Sequence, residues 1–341
     1  MKVLGLETSC DETSVSILEN GEIKSNLISS QDFHSDFGGV VPELSSRAHL
    51  QILLPLIKRA LKQGNISLNE IDLVCATAGP GLIGALLVGL TFAKGLSFSL
   101  QKPFVPVNHI EGHIYSGFLM NEKPEFPFLC LVVSGGHTLL LIVKSDDEII
   151  QLGKTLDDAV GEAFDKISKL LGLGYPGGPA IQDVANKNIS SKLIEFPIAQ
   201  CKREFDFSFS GLKTAVLRFI HTEYQNIQNI SKEDIALIAA SFQKTAVLAL
   251  TRIVEKAIKK FPVNSISLVG GVAANELLRY ELIEVSKKYK KKLVIPNLEY
   301  CGDNAAMIAY RGLRLHQNGN KFSLDYKAFP GLKANSFTFI D

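Results

Sequence analysis

An excess of charge of one sign is what this 341-residue chain most plainly lacks. Lys and Arg number 36 against 35 Asp and Glu, so no global field draws the molecule to nucleic acid. Any RNA surface has to be a local patch. Paired cysteines are missing too. The five stand at 10, 75, 130, 201 and 301 with no C-x-x-C, which argues against a disulfide framework or a cysteine-only zinc site and for a reducing cytosol. The opening MKVLGLE meets an acidic residue too soon for a signal peptide. An uninterrupted membrane span is also absent. Leu82 to Leu100 comes nearest, but Lys94 lies inside it and the Gly79–Pro80–Gly81 turn abuts it. We expect a buried helix there, packed closely at Gly84, Ala85 and Gly89, in a soluble cytoplasmic protein without membrane contact.

Apolar residues make up 46% and charged residues 21%, the balance of an ordinary globular protein. The length exceeds one comfortable core and points to two lobes. Val3–Thr8, Ser14–Glu19 and Ile23–Ser29 read as strands, the latter two joined by Asn20–Gly21, a strong hairpin signal. A helical stripe follows from Pro42 to Lys62, then a strand at Leu73–Thr77, the apolar helix and a strand at Phe104–Val107. The order then repeats. Strands are expected at Phe128–Val133, Thr138–Val143 and Glu148–Gly153, helices at Leu156–Leu171 and Lys232–Lys260, and a strand at Ser265–Val269. A helix near Asn275–Lys288, a strand at Leu293–Ile295 and a helix from about Asn304 to His316 complete it. This predicts an α/β protein of two similar lobes with a ligand cleft between them. The first lobe covers 1–120 and is completed by 305–341; the second covers 121–304 and carries an irregular insertion at 172–230.

His109 and His113 stand four apart in Asn108–His109–Ile110–Glu111–Gly112–His113. On a helix both rings share one face and can share one metal. A zinc protease would need its Glu directly after the first His, and here Ile110 is there, with Glu111 about 100° further round. The plain alternative is two satisfied structural histidines. Asp303, just before a helix, is either an N-cap or the carboxylate that completes a two-His, one-Asp site with open positions. That set suits Fe(II) or Zn(II) better than a hard ion. Three further turns fall where strands end: Thr8–Thr13, Val132–Thr138 with Ser134, Gly135 and Gly136, and Gly270–Asn275. Backbone N–H groups in such turns cradle anions. Asp158, Glu162 and Asp165 share a helical face, as a solvated surface or as acceptors for ribose hydroxyls; Glu162 and Lys166 are ion-pair neighbours.

These blocks together resemble a known family. LGLETSCDETSVSI at 4–17, GGVVPELSSRAH at 38–49, TAGPGLIGALLVG at 77–89 and NHIEGHIYS at 108–116 begin the match. FPFLCLVVSGGHT at 126–138, LDDAVGEAFDKISKLLGLGYPGGP at 156–179, FDFSFSGLKTA at 205–215, GGVAAN at 270–275 and CGDNAAMIAY at 301–310 continue it. The chain is similar to the tRNA N6-adenosine threonylcarbamoyltransferases (TsaD, formerly glycoprotease), in their bacterial stand-alone form without an appended kinase domain. That family has the actin/sugar-kinase/Hsp70 superfold.

The resemblance implies transfer of an L-threonylcarbamoyl group from threonylcarbamoyl-AMP to N6 of adenosine 37 in tRNAs reading codons that start with A, with release of AMP. It assigns a metal to His109, His113 and Asp303. It assigns the nucleotide of the donor, or ATP in its place, to Val132, Val133, Ser134, Gly135 and Gly136, a ribose contact to Asp165, a further contact to Gly178, and the adenine side to Asn275. Several relatives carry an Asp where this chain has Gln182, which departs from the pattern. Asp11 and Glu12 are the candidate carboxylates for removing the N6 proton, against a plain role in stabilising the hairpin turn. Implied partners are tRNA, a paralogous dimerisation protein (TsaB type), a small ATPase (TsaE type) and a separate synthase (TsaC type) that makes the donor. The densest basic groups, Lys256, Lys259, Lys260 and Lys287–Lys292, read first as solvated helix ends. The rival readings are a metalloprotease, a kinase-like or Hsp70-like ATPase and a non-catalytic nucleotide scaffold. Against the second, Glu7 stands where kinase-like relatives have an Asp for the metal–phosphate group.

Overall fold

The computed structural model describes the chain except residues 32, 35–38, 191, 226–228, 332–336, 340 and 341. Gly38 of the matched blocks, 191 and 226–228 of the insertion, and 332–336, 340 and 341 of the C-terminal segment thus lie outside the described residues.

In chain order, β1 (Lys2–Glu7), β2 (Glu12–Glu19) and β3 (Glu22–Ser30) precede α1 (Pro42–Gly64). Then come β4 (Leu73–Gly79), α2 (Ile83–Leu100), β5 (Phe104–Asn108) and α3 (His109–Ser116). A second series follows: β6 (Phe128–Val133), β7 (Thr138–Val143), β8 (Ile149–Lys154), α4 (Val160–Leu170), α5 (Gly177–Ala185), α6 (Ser210–Tyr224) and α7 (Lys232–Lys260). The chain ends with β9 (Ser265–Val269), α8 (Glu276–Lys288), β10 (Lys292–Val294), α9 (Leu298–Cys301), α10 (Ala305–Gln317) and β11 (Thr338–Phe339).

Two compact units result. The first comprises Met1–Lys123 and Pro296–Ser336, the second Pro124–Ile295 and Phe337–Asp341. Asp303 therefore belongs to the same unit as His109 and His113, whereas the expected boundary at 304 assigned it to the second lobe. The chain leaves the second unit directly after β10.

Each unit is built on the same plan. The first sheet runs β3-β2-β1-β4-β5, and the second β10-β9-β6-β7-β8-β11. In both, three consecutive strands form an antiparallel meander, and the first of them pairs in parallel with a strand that arrives after helices. The repeat expected from element order is thus a repeat of topology. Strands next to the parallel pairs are buried on both faces, β4 and β6 along their whole length, which is why they read as unbroken apolar runs. Asn20 and Gly21 take φ of 53° and 86°, the left-handed values that a two-residue hairpin requires.

Three expectations need correction. The apolar helix α2 is not buried all round: one third of it is covered. Ala85, Leu86, Gly89, Leu90, Ala93 and Ser97 face inward, while Leu87 and Phe98 are exposed. Gly84 and Gly89 do allow close approach, since a Cβ on Gly89 would lie 2.3 Å from the Thr8 hydroxyl. Among the described residues, α2 and α7 have the length and hydropathy of a span, and α7 is 61% covered within the protein. Second, α4 starts at Val160, not Leu156, because Asp157 turns away to accept bonds from Phe209 N (2.8 Å) and Ser210 N (3.2 Å) at the start of α6. Third, the insertion at 172–230 is not irregular throughout but carries α5 and α6. Pro179 sits in the first turn of α5, where its missing N–H costs nothing, so the proline–glycine cluster that read as a turn also starts a helix.

Candidate functional site

In the first unit, β5 runs directly into α3. The Asn108 side chain caps the helix, accepting from Ile110 N at 2.9 Å and Glu111 N at 3.4 Å. That places His109 at the first helical position and His113 one turn on, with ring centroids 4.7 Å apart and edge to face. Both rings are buried. Asp303 reaches them from the start of the α10 segment. Its Oδ1 lies 3.1 Å from His113 Nε2 and 3.5 Å from His109 Nε2. One ligand atom from each of the three residues lies within 4.8 Å of the others. The N-cap of α10 is Asn304, which accepts from Met307 N at 3.1 Å, so Asp303 is not used as the cap and its carboxylate is turned to the histidines.

Two buried imidazoles facing one carboxylate oxygen are a donor set that fits a borderline cation with open positions. The electrostatics point the same way. Burial opposes the charged form of His109, but Asp303 and Glu7 outweigh it and push the ring up to about 9. Glu12 is pushed up to about 10, by burial first and then by Asp303, Asp11 and Glu7. A place where one carboxyl is forced towards its neutral form and an imidazole towards its charged form is short of positive charge. A cation between the three residues would supply it.

Asp11 and Glu12 stand side by side where the β1–β2 turn of the same unit enters β2, and Asp11 is among the neighbours that push Glu12 up. The turn is held from outside by His49 of α1. That buried ring faces Thr13 Oγ1 at 2.7 Å through Nδ1, and the Cys10 carbonyl at 3.0 Å and Ser45 Oγ at 3.2 Å through Nε2. His49 and Glu7 lie within matched blocks, yet nothing in their spacing distinguishes them. Glu111, the residue that a protease would need over its metal, is paired with Arg311 instead, at 2.7 Å.

The second unit gathers the glycine-rich turns. Ser134 N donates to His137 O at 2.8 Å, and His137 N to Ser134 Oγ at 3.1 Å, which shapes the turn after Val132 and Val133 and leaves Gly135 and Gly136 exposed. Two other glycines press on that strand end. A Cβ on Gly161 would lie 2.6 Å from Ser134 O, and one on Gly270 2.3 Å from Val133 O. Gly270 also takes φ 95°, which only glycine adopts without strain. Gly270–Asn275 thus lies beside Val132–Gly136.

Asn275 is an N-cap. Its Oδ1 accepts from Leu278 N at 3.0 Å and its Nδ2 donates to Gln243 Oε1 at 2.8 Å. Asp165 Oδ1 accepts from Gly177 N at 2.7 Å, which fixes the YPGGP turn next to Gly178. Gln182 Oε1 accepts from Glu276 N at 2.8 Å and so holds the first residue of α8. Lys166 pairs with Asp158 at 2.7 Å and Glu162 at 2.8 Å; because α4 starts at Val160, Asp158 precedes the helix and does not share a helical face with Glu162 and Asp165. In the basic clusters, Lys260, Lys287, Lys288 and Lys292 pair with Glu204, Glu284, Glu255 and Glu125.

A family model described as tRNA N6-adenosine threonylcarbamoyltransferase matches residues 22–310. A protein of that name from Thermosipho africanus is 52% identical over 335 residues, covering 98% of this chain and 100% of its own length. One from Dictyoglomus turgidum is 48% identical over 335 residues, covering 97% and 98%. Among solved structures, T. kodakarensis HypF aligns with a TM-score of 0.61 at 17% identity, over 93% of this chain and 48% of that one. The (R)-2-hydroxyglutaryl-CoA dehydratase component A of Acidaminococcus fermentans aligns at 0.56 and 14% identity, over 92% and 98%. At such identities the structures speak for the fold alone, and they support the expected two-lobed superfold of actin, sugar kinases and Hsp70.

Proposed function

The chain belongs to the tRNA N6-adenosine threonylcarbamoyltransferase family, and we propose that His109, His113 and Asp303 hold the metal with which it performs that transfer. It is a transferase that makes the threonylcarbamoyladenosine modification of tRNA. The acyl group passes from threonylcarbamoyl-AMP to N6 of adenosine 37, and AMP leaves.

N6 is a weak nucleophile because its lone pair is delocalised into the ring, and the donor carbonyl is already activated by AMP. Alignment and charge stabilisation are therefore the work of the protein. Bound there, the metal, Fe(II) or else Zn(II), would supply Lewis-acid chemistry to the donor. His109 and His113 would hold it through nitrogen, and Asp303 would add the compensating negative charge. In the second unit, Val132, Val133, Ser134, Gly135 and Gly136 receive the AMP part, with Asp165 on the ribose side, Gly178 in the neighbouring turn and Asn275 at the adenine. The turn's exposed N–H groups and missing side chains suit a phosphate or a flat ligand. Asp11 or Glu12 takes up the N6 proton. A cation held at Asp303 would favour the ionised form that this step requires.

The observation that carries the reading is the convergence of both imidazoles on Asp303 within the family's own motifs. Glu111 weighs against the protease, being held by Arg311. The experiment is nucleoside mass spectrometry of tRNA incubated with the chain, its partners, threonine, bicarbonate and ATP. We expect threonylcarbamoyladenosine, lost in His109→Ala and His113→Ala; activity that persists in both variants would overturn the metal assignment.

We place the protein in the cytoplasm, with the paralogous dimerisation protein, the small ATPase and the donor synthase as partners. The exposed leucines of α1 and α2 support the first of these. Leu50, Leu54 and Leu87 border a groove of about 440 Å³ floored by Leu53, Val88 and Phe92, a surface that suits a partner presenting an apolar face of its own. Leu87→Glu is expected to abolish co-elution with that partner without unfolding the chain.

A further inference from the structure

Glu7, at the end of β1, is fully buried. Its Oε1 accepts from Ser9 N at 2.5 Å, and its Oε2 accepts from the Thr77 hydroxyl at 2.5 Å and faces His109 Nδ1 at 3.1 Å. The carboxylate is thus engaged on three sides by its own protein. Neither oxygen is turned outward to a metal–phosphate group, which separates this site from the phosphotransfer arrangement its fold otherwise suggests.

The two histidines are not treated alike. His109 Nδ1 faces Glu7 and, at 3.2 Å, the Ser9 hydroxyl. His113 Nδ1 is buried with no hydrogen-bond partner among the described residues. A neutral imidazole binds a metal through one nitrogen while the other carries its proton, and a carboxylate behind the ring settles which is which. We infer that Glu7 is a positioning residue of the metal centre: it accepts the Nδ1 proton of His109 and so keeps the Nε2 lone pair of that ring turned to Asp303 and the cation. The inference rests on the metal reading of the site. Glu7 touches neither substrate nor metal and acts only through His109.

A carboxylate that merely braced the ends of β1 and β4 would also bond Ser9 and Thr77, so the test has to separate the two roles. Glu7→Gln keeps the size of the side chain, but its amide donates to Nδ1 and drives the proton to Nε2, where it blocks the metal. Thr77→Val removes a brace and leaves the imidazole contact in place. The measurement is titration of the purified, metal-free full-length chain with Co(II), followed by its visible absorption, beside thermal unfolding without metal. We expect Glu7→Gln to weaken Co(II) binding by about 10- to 100-fold with an altered spectrum, and Thr77→Val to lower the unfolding midpoint while binding Co(II) as the unaltered chain does.

Histidine-nitrogen NMR of the zinc-loaded unaltered chain reads the same point without any substitution, and should find His109 protonated on Nδ1 and metallated on Nε2. Coordination through Nδ1, or a folded Glu7→Gln protein with unchanged Co(II) affinity and spectrum, overturns the inference alone. Failure of the unaltered chain to bind Co(II) removes the metal reading, and the role of Glu7 with it.

Discussion

Arg311 turns both Nε and Nη2 to a single oxygen, Oε2 of Glu111, each at 2.7 Å. The guanidinium also lies over the Tyr115 ring, 4.3 Å from its centroid. The pair joins the helix that carries both histidines to the helix that follows Asp303, and it explains the glutamate that stands one place too late for a protease. Arg311 is 3% exposed, so removing Glu111 takes the carboxylate away from a guanidinium held out of water.

Glu111→Ala should therefore cost about 3–5 kcal/mol, the range for breaking a buried pair. The double variant Glu111→Leu, Arg311→Met should be more stable than Glu111→Ala, because no lone charge remains. Urea unfolding of the three proteins checks this; equal midpoints for Glu111→Ala and the unaltered chain would refute it.

His49 makes stability depend on pH. Burial holds its ring below the ordinary 6.5. The unfolded chain then takes up a proton that the folded chain refuses, so the contribution is complete above about 6.5. It declines as pH falls towards the folded-state value. Denaturation midpoints of the unaltered chain should drop between about pH 7 and 5 more steeply than those of His49→Gln; parallel profiles would count against the argument.

Gly161→Ala tests the glycine cradle. The added Cβ would meet Ser134 O at 2.6 Å, so the Ser134–Gly136 turn has to move. We expect a loss of about 1–3 kcal/mol from overpacking and clearly weaker AMP binding by calorimetry. Co(II) binding in the first unit should stay unchanged. Unaltered AMP affinity would show that the turn does not receive the nucleotide.

Asp157→Ala removes the acceptor at the start of α6, where Ser208 Oγ at 2.6 Å and Phe209 N at 2.8 Å converge. The expected cost is about 1 kcal/mol, as for other lost helix caps. Hydrogen exchange should rise first in α6, and uniform change along the chain would argue against so local a role.

Local patterning made much of this legible. Apolar alternation and Asn20–Gly21 located the first meander, and the recurring element order revealed the doubled plan, because side-chain periodicity and turn chemistry act over a few residues. The i,i+4 spacing of His109 and His113 was enough to place both rings on one helical face. Local pattern does not report which face of a helix finds a neighbour, so α2 read as buried although its outer side is exposed. Nor does it report competition for a cap: Asp157 left the expected α4 for α6, and Asn304 took the capping position while Asp303 turned to the histidines.

What the sequence by itself determined, then, is the inventory: the two-fold plan, the histidine pair and the glycine turns, all encoded within short windows. Only the tertiary structure decided the partnerships. Asp303 meets His113 across 190 positions, Glu7 meets His109 across 102 and Glu111 meets Arg311 across 200. Contacts of that range are selected by the packing of whole strands and helices. A buried charge takes as partner whatever complementary group the fold brings within hydrogen-bonding distance.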